Sequence, residues 1–435
     1  MKKIKMMMAA ALGVLVSCGS VKSGEEVVAA SRESKVVVAY VTSWSEVMPD
    51  PQYMTHINYA FGHVNESFNG VKIDNEERLR QIVDLRKQKP ELKVLLSIGG
   101  WGSGRFSEMA ANDEYRRAFA ADCDRVVKEF ALDGIDIDWE YPTSSMANIS
   151  SSPDDTENFT LLMQDIRAAI GNEKELTLAT VASARYIDFK AILPSVDFVN
   201  IMAYDMASAP KHHSALYPSG HSGDITSDGA VTAHLKAGQP PSKLVMGMPF
   251  YGRGGDGYPS FQDYNKVGNT DTQYTEKWDE VAQVPYLADK NDTLVFGFEN
   301  PRSLAIKCQY ILDKDLLGGM YWDYSGDNEQ GDLRRTVAEN LLGKPHKAKV
   351  LVLTERGGQH GGFTDAGLRW LAAEGAKGNF SITEINNARN ITEAYLSQFS
   401  LVIQLDFPPY TWPKEAEDAF VKYIEEGRGG WVGFH

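Results

Sequence analysis

The ten residues 133–142, DGIDIDWEYP, constrain this chain more than any other stretch. Asp136, Asp138 and Glu140 stand at every second position, and Ile135, Ile137 and Trp139 fill the gaps. A period of two places successive side chains on opposite faces of a strand. The three carboxyl groups then share one face, about 6.6 Å apart at a rise of about 3.3 Å per residue. Isoleucine and tryptophan on the other face call for burial. Three acids stacked on such a strand need a reason, and a water-filled site for acid–base chemistry supplies one. Two anions at that spacing repel by roughly 2.5 kcal/mol at an effective dielectric of about 20. That is enough to lift a glutamate from about 4.3 toward about 6. A glutamate so placed holds a proton near neutrality, as a general acid must. Asp133 has the opposite parity and reads as a cap or turn residue before Gly134.

Around this strand, short apolar runs alternate with amphipathic helical patterns. The runs are 36–41, 56–61, 93–98, 134–139, 176–181, 198–202, 244–248 and 319–322. Helical stretches fall at 76–89, 114–130, 157–170, 228–237 and 336–342. This alternation predicts an α/β fold, a (β/α)8 TIM barrel over residues 35–343. A doubly wound open sheet fits less well, because candidate active residues stand at the ends of many strands rather than at one switch point. Residues 344–348 read as a linker. A second series follows, with strands 349–354, 381–384, 401–406 and 431–434 and helices 366–374, 391–398 and 414–426. It predicts a flavodoxin-like parallel sheet over 349–435. The series ends on its fourth strand, and a parallel sheet needs both faces covered. The expectation is an incomplete domain and a fragment of a longer protein.

The first residues read as a targeting segment rather than as part of the fold. Lys2, Lys3 and Lys5 precede an apolar stretch, 6–16, that is too short to span a bilayer. Leu15-Val16-Ser17-Cys18 then has the form of a bacterial lipobox, with Cys18 as the lipidated residue. The expectation is a lipoprotein signal peptide over 1–18, a flexible tether over 19–34, and an exported, lipid-anchored envelope protein, periplasmic or at the cell surface. The net charge of −15 argues against nucleic acid and anionic membrane surfaces as partners. A neutral polymer such as a polysaccharide is compatible. Cys123 and Cys308 lie in helical patterns and read as buried free thiols. No cysteine or histidine cluster has metal-ligand spacing, and His212-His213 reads as loop, so neither a metal nor a cofactor is expected. Residues 252–257 satisfy GxGxxG, but Tyr258 and Pro259 follow where a nucleotide site needs a helix.

With the barrel in place, residues 36–342 resemble glycoside hydrolase family 18, the chitinase-type family. SIGGW (97–101) ends the third strand, and DGIDIDWEYP matches the family's DxxDxDxE pattern. MAYD (202–205) ends the sixth strand, MPFYGR (248–253) the seventh, and GGMYWDYSGD (318–327) the eighth. The resemblance implies a retaining hydrolase that cleaves β-1,4 bonds next to N-acetylglucosamine, in chitin or chito-oligosaccharides. The substrate's own 2-acetamido oxygen attacks the anomeric carbon and forms an oxazolinium intermediate, an exception to the two-carboxylate scheme. It implies Glu140 as proton donor and then base, and Asp138 as the partner of the acetamido group. Asp136 would share a proton with Asp138, and Tyr204 would steady the acetamido oxygen. It implies Trp322 as the floor under the cleaved sugar and Trp101 as a second platform. Tyr40, Phe61, Gly100, Met202, Asp205, Tyr251 and Arg253 match further strand-end positions that line the family's cleft. Trp139 has outward parity and reads as core.

The pattern departs from the family in one place. Many members insert a compact α+β module between strands seven and eight, and residues 254–301 leave no room for a full one. A shallower cleft and endo-type, poorly processive cleavage are the expected consequence. Residues 349–435 resemble the trehalose-utilization (ThuA-like) family of the class I glutamine amidotransferase-like fold. KVLVLTERGGQHGGFTD (349–365), LVIQLDF (401–407) and GGWVGFH (429–435) carry that likeness. Glutaminase relatives use a cysteine nucleophile, and no cysteine follows Cys308, so no glutaminase activity is expected. His360 and His435 fall in strand-end loops and receive no role. Two other readings share the barrel. An endo-β-N-acetylglucosaminidase acting on N-glycans would use the same acids. A sugar-binding lectin on an inactive barrel typically lacks the acid that Glu140 provides.

Overall fold

A computed structural model describes residues 35–435 apart from 256–257, 268–273, 344–347, 355–360, 376–379, 390, 406–411 and 435. Cys18 and the targeting and tether segments, most of the linker, His360 and His435 lie outside the described residues.

Eight parallel strands close into a barrel. In chain order they are Val36–Thr42, His56–Val64, Lys93–Gly99, Gly134–Asp138, Glu175–Val181, Phe198–Met202, Leu244–Pro249 and Gly318–Trp322. Each pairs with its sequence neighbour, and the first pairs with both the second and the eighth. Alternation along the strands builds two apolar layers. Val37, Ala39, Val41, Ile135 and Ile137 face outward into the large cluster shared with the helices. Val38, Tyr40, Phe198, Val245 and Met320 face inward and fill the barrel. Trp139 stacks on Phe106 at 5.3 Å, as its parity predicts.

The helices start on local signals. Asn112 caps Asp113–Glu129, Thr226 caps Ser227–Ala237, and Asn300 forms a capping box with Ser303 at the head of Pro301–Asp313. The pattern at 76–89 resolves into an α-helix, Glu76–Val83, and a 3-10 turn, Asp84–Lys87. Cys123 and Cys308 are buried free thiols.

Between the seventh and eighth strands lies a five-stranded antiparallel sheet. Its spatial order is Gln262–Asp263, Tyr251–Gly254, Leu294–Gly297, Val284–Ala288, Thr275–Asp279. No α-helix occurs among its described residues. The strand Tyr251–Gly254 runs into this sheet, which removes the nucleotide-loop reading of 252–257.

Residues 349–434 form a four-stranded parallel sheet ordered Ser381–Ile385, Lys349–Thr354, Leu401–Leu405, Gly430–Phe434. The helices Gly361–Gly375, Glu393–Leu396 and Lys414–Glu425 connect these strands. Leu351, Leu353 and Val402 pack toward Phe420 and Tyr423, whereas Val350, Val352 and Ile403 pack toward Leu371. This is the predicted flavodoxin-like arrangement.

Candidate active site

Asp136 sits fully buried inside the barrel, at mid-strand on the inward face. Side chains from four other barrel strands donate to it. Tyr40 Oη and Ser97 Oγ reach Oδ2 at 2.9 and 2.7 Å, and Thr177 Oγ1 and Asn200 Nδ2 reach Oδ1 at 2.6 and 3.3 Å. Burial pushes its carboxyl up, and these hydrogen bonds oppose the shift.

Asp138, two residues on, is also buried, but its Oδ1 has no hydrogen-bond partner. Its carboxyl is pushed well up, by burial first and then by the charges of Glu140 and Asp136. No hydrogen bond joins Asp138 to Asp136 among the described residues, but the Asp136 charge acts on Asp138. The two oxygens of Asp136 are already engaged by the four donors above.

Glu140 lies just beyond the strand, on the wall of the cleft. Its pKa is raised to about 7, by burial first, with the charge of Asp205 adding to it and a hydrogen bond from Tyr141 opposing it. The direction agrees with the sequence argument, and burial adds to it as the first cause. Mutual repulsion of the stacked acids acts on Asp138. The carboxyls of Asp138 and Glu140 titrate as a pair, each raised first by burial.

Asp205 follows the sixth strand with a left-handed backbone, φ 53°. Arg253 grips it with two bonds, Nε to Oδ1 at 2.7 Å and Nη2 to Oδ2 at 2.6 Å. His213 Nδ1 lies 3.4 Å from Oδ1. Burial alone would raise the Asp205 carboxyl, but Arg253 and His213 hold it well below the usual range. Asp205 is thus a fixed negative charge beside Glu140. Tyr204 packs edge-on to Tyr251 at 6.1 Å, and burial, Asp138, Glu140 and Asp205 keep its phenol protonated.

Asp138, Glu140, Tyr204 and Asp205 line a cleft of about 730 Å³ at the C-terminal ends of the barrel strands, with Asp136 buried below it. Trp322 is held from beneath by Phe61, stacked at 5.6 Å, and by Tyr40 at 5.6 Å. Trp101 stands 61% exposed at the rim, free to offer an open ring face. Met202, Tyr251 and Arg253 also line the cleft. Gly100 does not. Its N–H donates to the Asp138 carbonyl at 2.8 Å, its φ is 91°, and a Cβ there would come within 2.6 Å of the Phe61 ring. Gly100 is therefore a close-packing residue that lets Phe61 support Trp322. Asp133 lies at the opposite end of the strand, where it accepts from Arg86 and from the N–H of Val94.

The structure adds cleft residues that sequence reasoning passed over. Trp44, Arg185 and Tyr186 follow the ends of the first and fifth strands, and the strand-end rule could have found them. Tyr141 directly follows Glu140, stacks on Tyr186 at 5.6 Å and donates to Glu140. Phe261 comes from the insert and stacks on Tyr251 at 4.7 Å, and no local pattern announces it.

Residues 36–327 match the family described as glycosyl hydrolases family 18. The chain belongs to that family. Its barrel carries the family's hydrolase fold with the acids gathered at the open end. Residues 349–435 match the ThuA family, trehalose utilisation. Chitinase A1 of Niallia circulans is 29% identical over 69% of this chain, and the match spans 58% of that enzyme's length. Mouse chitotriosidase-1 is 31% identical over 68% of this chain and 74% of its own length. The solved structure of a family 18 N-acetylglucosaminidase from Paenibacillus barengoltzii aligns with a TM-score of 0.65 at 32% identity. That alignment covers 71% of this chain and all of the other. These likenesses make the family 18 barrel a glycosyl hydrolase of the chitinase type.

Proposed function

We propose that the barrel cleaves β-1,4-linked N-acetylglucosamine chains with retention, by substrate assistance. The observation that carries this reading is the pair Glu140 and Asp138. One is a carboxyl poised at about 7 on the cleft wall. The other is a buried carboxyl, pushed well up by burial, with a free oxygen. Glu140 donates its proton to the leaving oxygen and then takes one from water. Asp138 turns its unpartnered Oδ1 to the acetamido N–H, while Asp136, held by four donors, fixes the strand beneath it. Tyr204 presents a hydroxyl to the acetamido oxygen.

Linear chitin-type chains are favoured over branched N-glycan cores. Trp322, Trp101 and Trp44 line one cleft, and sugar C–H faces pack on indoles. The insert contributes a single sheet with Phe261 at the cleft, which supports an open groove and endo-type cleavage. Hydrolysis of chito-oligomers beside a high-mannose glycopeptide tests both points. Chitotetraose and longer oligomers should be cut into products of mixed length from the first turnovers, with the glycopeptide untouched. Preferred release of the N-glycan sinks the substrate assignment, and disaccharide as the sole early product sinks the open-groove reading.

A further inference from the structure

His212, His221 and Asp279 bring one ligand atom each to within 4.8 Å of one another, away from the cleft. The two histidines belong to the loop after the sixth barrel strand, and Asp279 ends the insert strand Thr275–Asp279. Separation of these segments along the chain hid the cluster from any spacing rule. The loop is tightly made. The N–H of His212 donates to the carbonyl of His221 at 2.7 Å, and the ring of Tyr286 packs edge-on against both imidazoles, at 5.4 and 5.8 Å. Asp279 is equally fixed. The N–H groups of Val281 and Ala282 hold Oδ1 at 2.9 Å each, and Ser219 Oγ donates to Oδ2 at 2.8 Å.

We propose that His212, His221 and Asp279 form a binding site for a divalent transition-metal ion, zinc by its ligand chemistry, which ties the antiparallel insert to the loop behind the cleft. Two imidazoles and one carboxylate suit zinc, with a fourth corner left for water. Zinc holds N and O ligands at about 2.0–2.2 Å, so neighbouring ligands in a tetrahedron stand about 3.4 Å apart. His212 Nε2 is 3.2 Å from Asp279 Oδ2. His221 Nδ1 is 4.0 Å from the same oxygen, and its side chain is 48% exposed, free to close that gap and open to ion entry. His212 is the buried member of the two histidines. Its other nitrogen, Nδ1, is buried with no hydrogen-bond partner. The ring's single hydrogen bond therefore runs through the nitrogen that faces Asp279, where a shared cation replaces it with direct ligation of both groups.

None of the three residues lines the cleft, so the ion acts through the backbone. His213, next along the chain, contacts Asp205, and Asp205 sets the charge beside Glu140. This proposal stands independently of the sugar substrate. Tag-free full-length chain, stripped with EDTA and dialysed, should bind about one equivalent of zinc with a dissociation constant of about 10 µM or tighter, raise its Tm, and give the visible spectrum of tetrahedral cobalt when Co2+ is used instead. His221→Ala, at an exposed position, and Asp279→Asn should each weaken zinc binding at least about tenfold, while His63→Ala should not. Absence of zinc binding at about 100 µM, or wild-type affinity in both variants, overturns the proposal.

Discussion

Glu140→Gln should lower turnover of chitotetraose at least roughly a hundredfold while the protein folds and binds normally, as expected for a lost general acid. Glutamine keeps the shape of the side chain and can still accept from Tyr141, so the change removes the transferable proton and little else. The same group predicts two pH effects. The wild-type kcat/KM should fall as pH rises through about 7, because Glu140 then loses the proton it must donate. Stability should move the same way. The folded-state pKa of about 7 lies above the ordinary value of 4.5, so the folded protein binds the extra proton between those limits. The contribution of Glu140 is fully present below about pH 4.5 and is lost as pH rises through about 7. Glu140→Gln should therefore gain Tm relative to wild type as pH rises across that window. A variant with near-normal turnover ends the assignment, and parallel Tm profiles for the two proteins contradict the raised pKa.

Lys307→Met should cost about 3–5 kcal/mol of folding stability, read from chemical denaturation. Lys307 and Glu299 form an ion pair in which both side chains are completely buried. Lys307 Nζ also donates to the carbonyl of Ser214 at 2.5 Å, and Ser214 Oγ donates to Glu299 Oε1 at 2.5 Å. Removing the cation leaves Glu299 buried with its charge unanswered, which is costlier than the pair itself is favourable. Replacing both partners, as Lys307→Met with Glu299→Leu, should recover most of the loss. Equal losses in the single and double variants would mean that packing, rather than the stranded charge, is responsible. The site depends on this node, because Ser214 adjoins His213 and so the support of Asp205.

Barrel and acids were legible for one physical reason. A strand buried on both faces shows its chemistry as a period-two break in apolar sequence, and DGIDIDWEYP breaks it with carboxyl groups. The parities of Asp136 and Trp139 alone placed one inside the barrel and the other under the helices. Strand-end motifs located Trp322, Tyr251 and Arg253 on the cleft, because a TIM barrel gathers the ends of its strands. What could not be read depends on contacts between distant segments. Glu140 owes its raised pKa first to burial, with the charge of Asp205 from another strand end adding to it. Gly100 shares a motif with Trp101 yet serves the packing of Phe61. Phe261 reaches the cleft from an insert whose short strands carry no clear alternation. His212, His221 and Asp279 meet only because that insert folds back over the loop.

The central claim is that the substrate's own acetamido group supplies the nucleophile and that Glu140 moves the proton. Its most direct test is NMR of the first products from chitotetraose, run beside the fully N-deacetylated tetramer. The account predicts the β-anomer from the acetylated chain and no cleavage of the deacetylated one. An initial α-anomer, or equal cleavage of both chains, would contradict it.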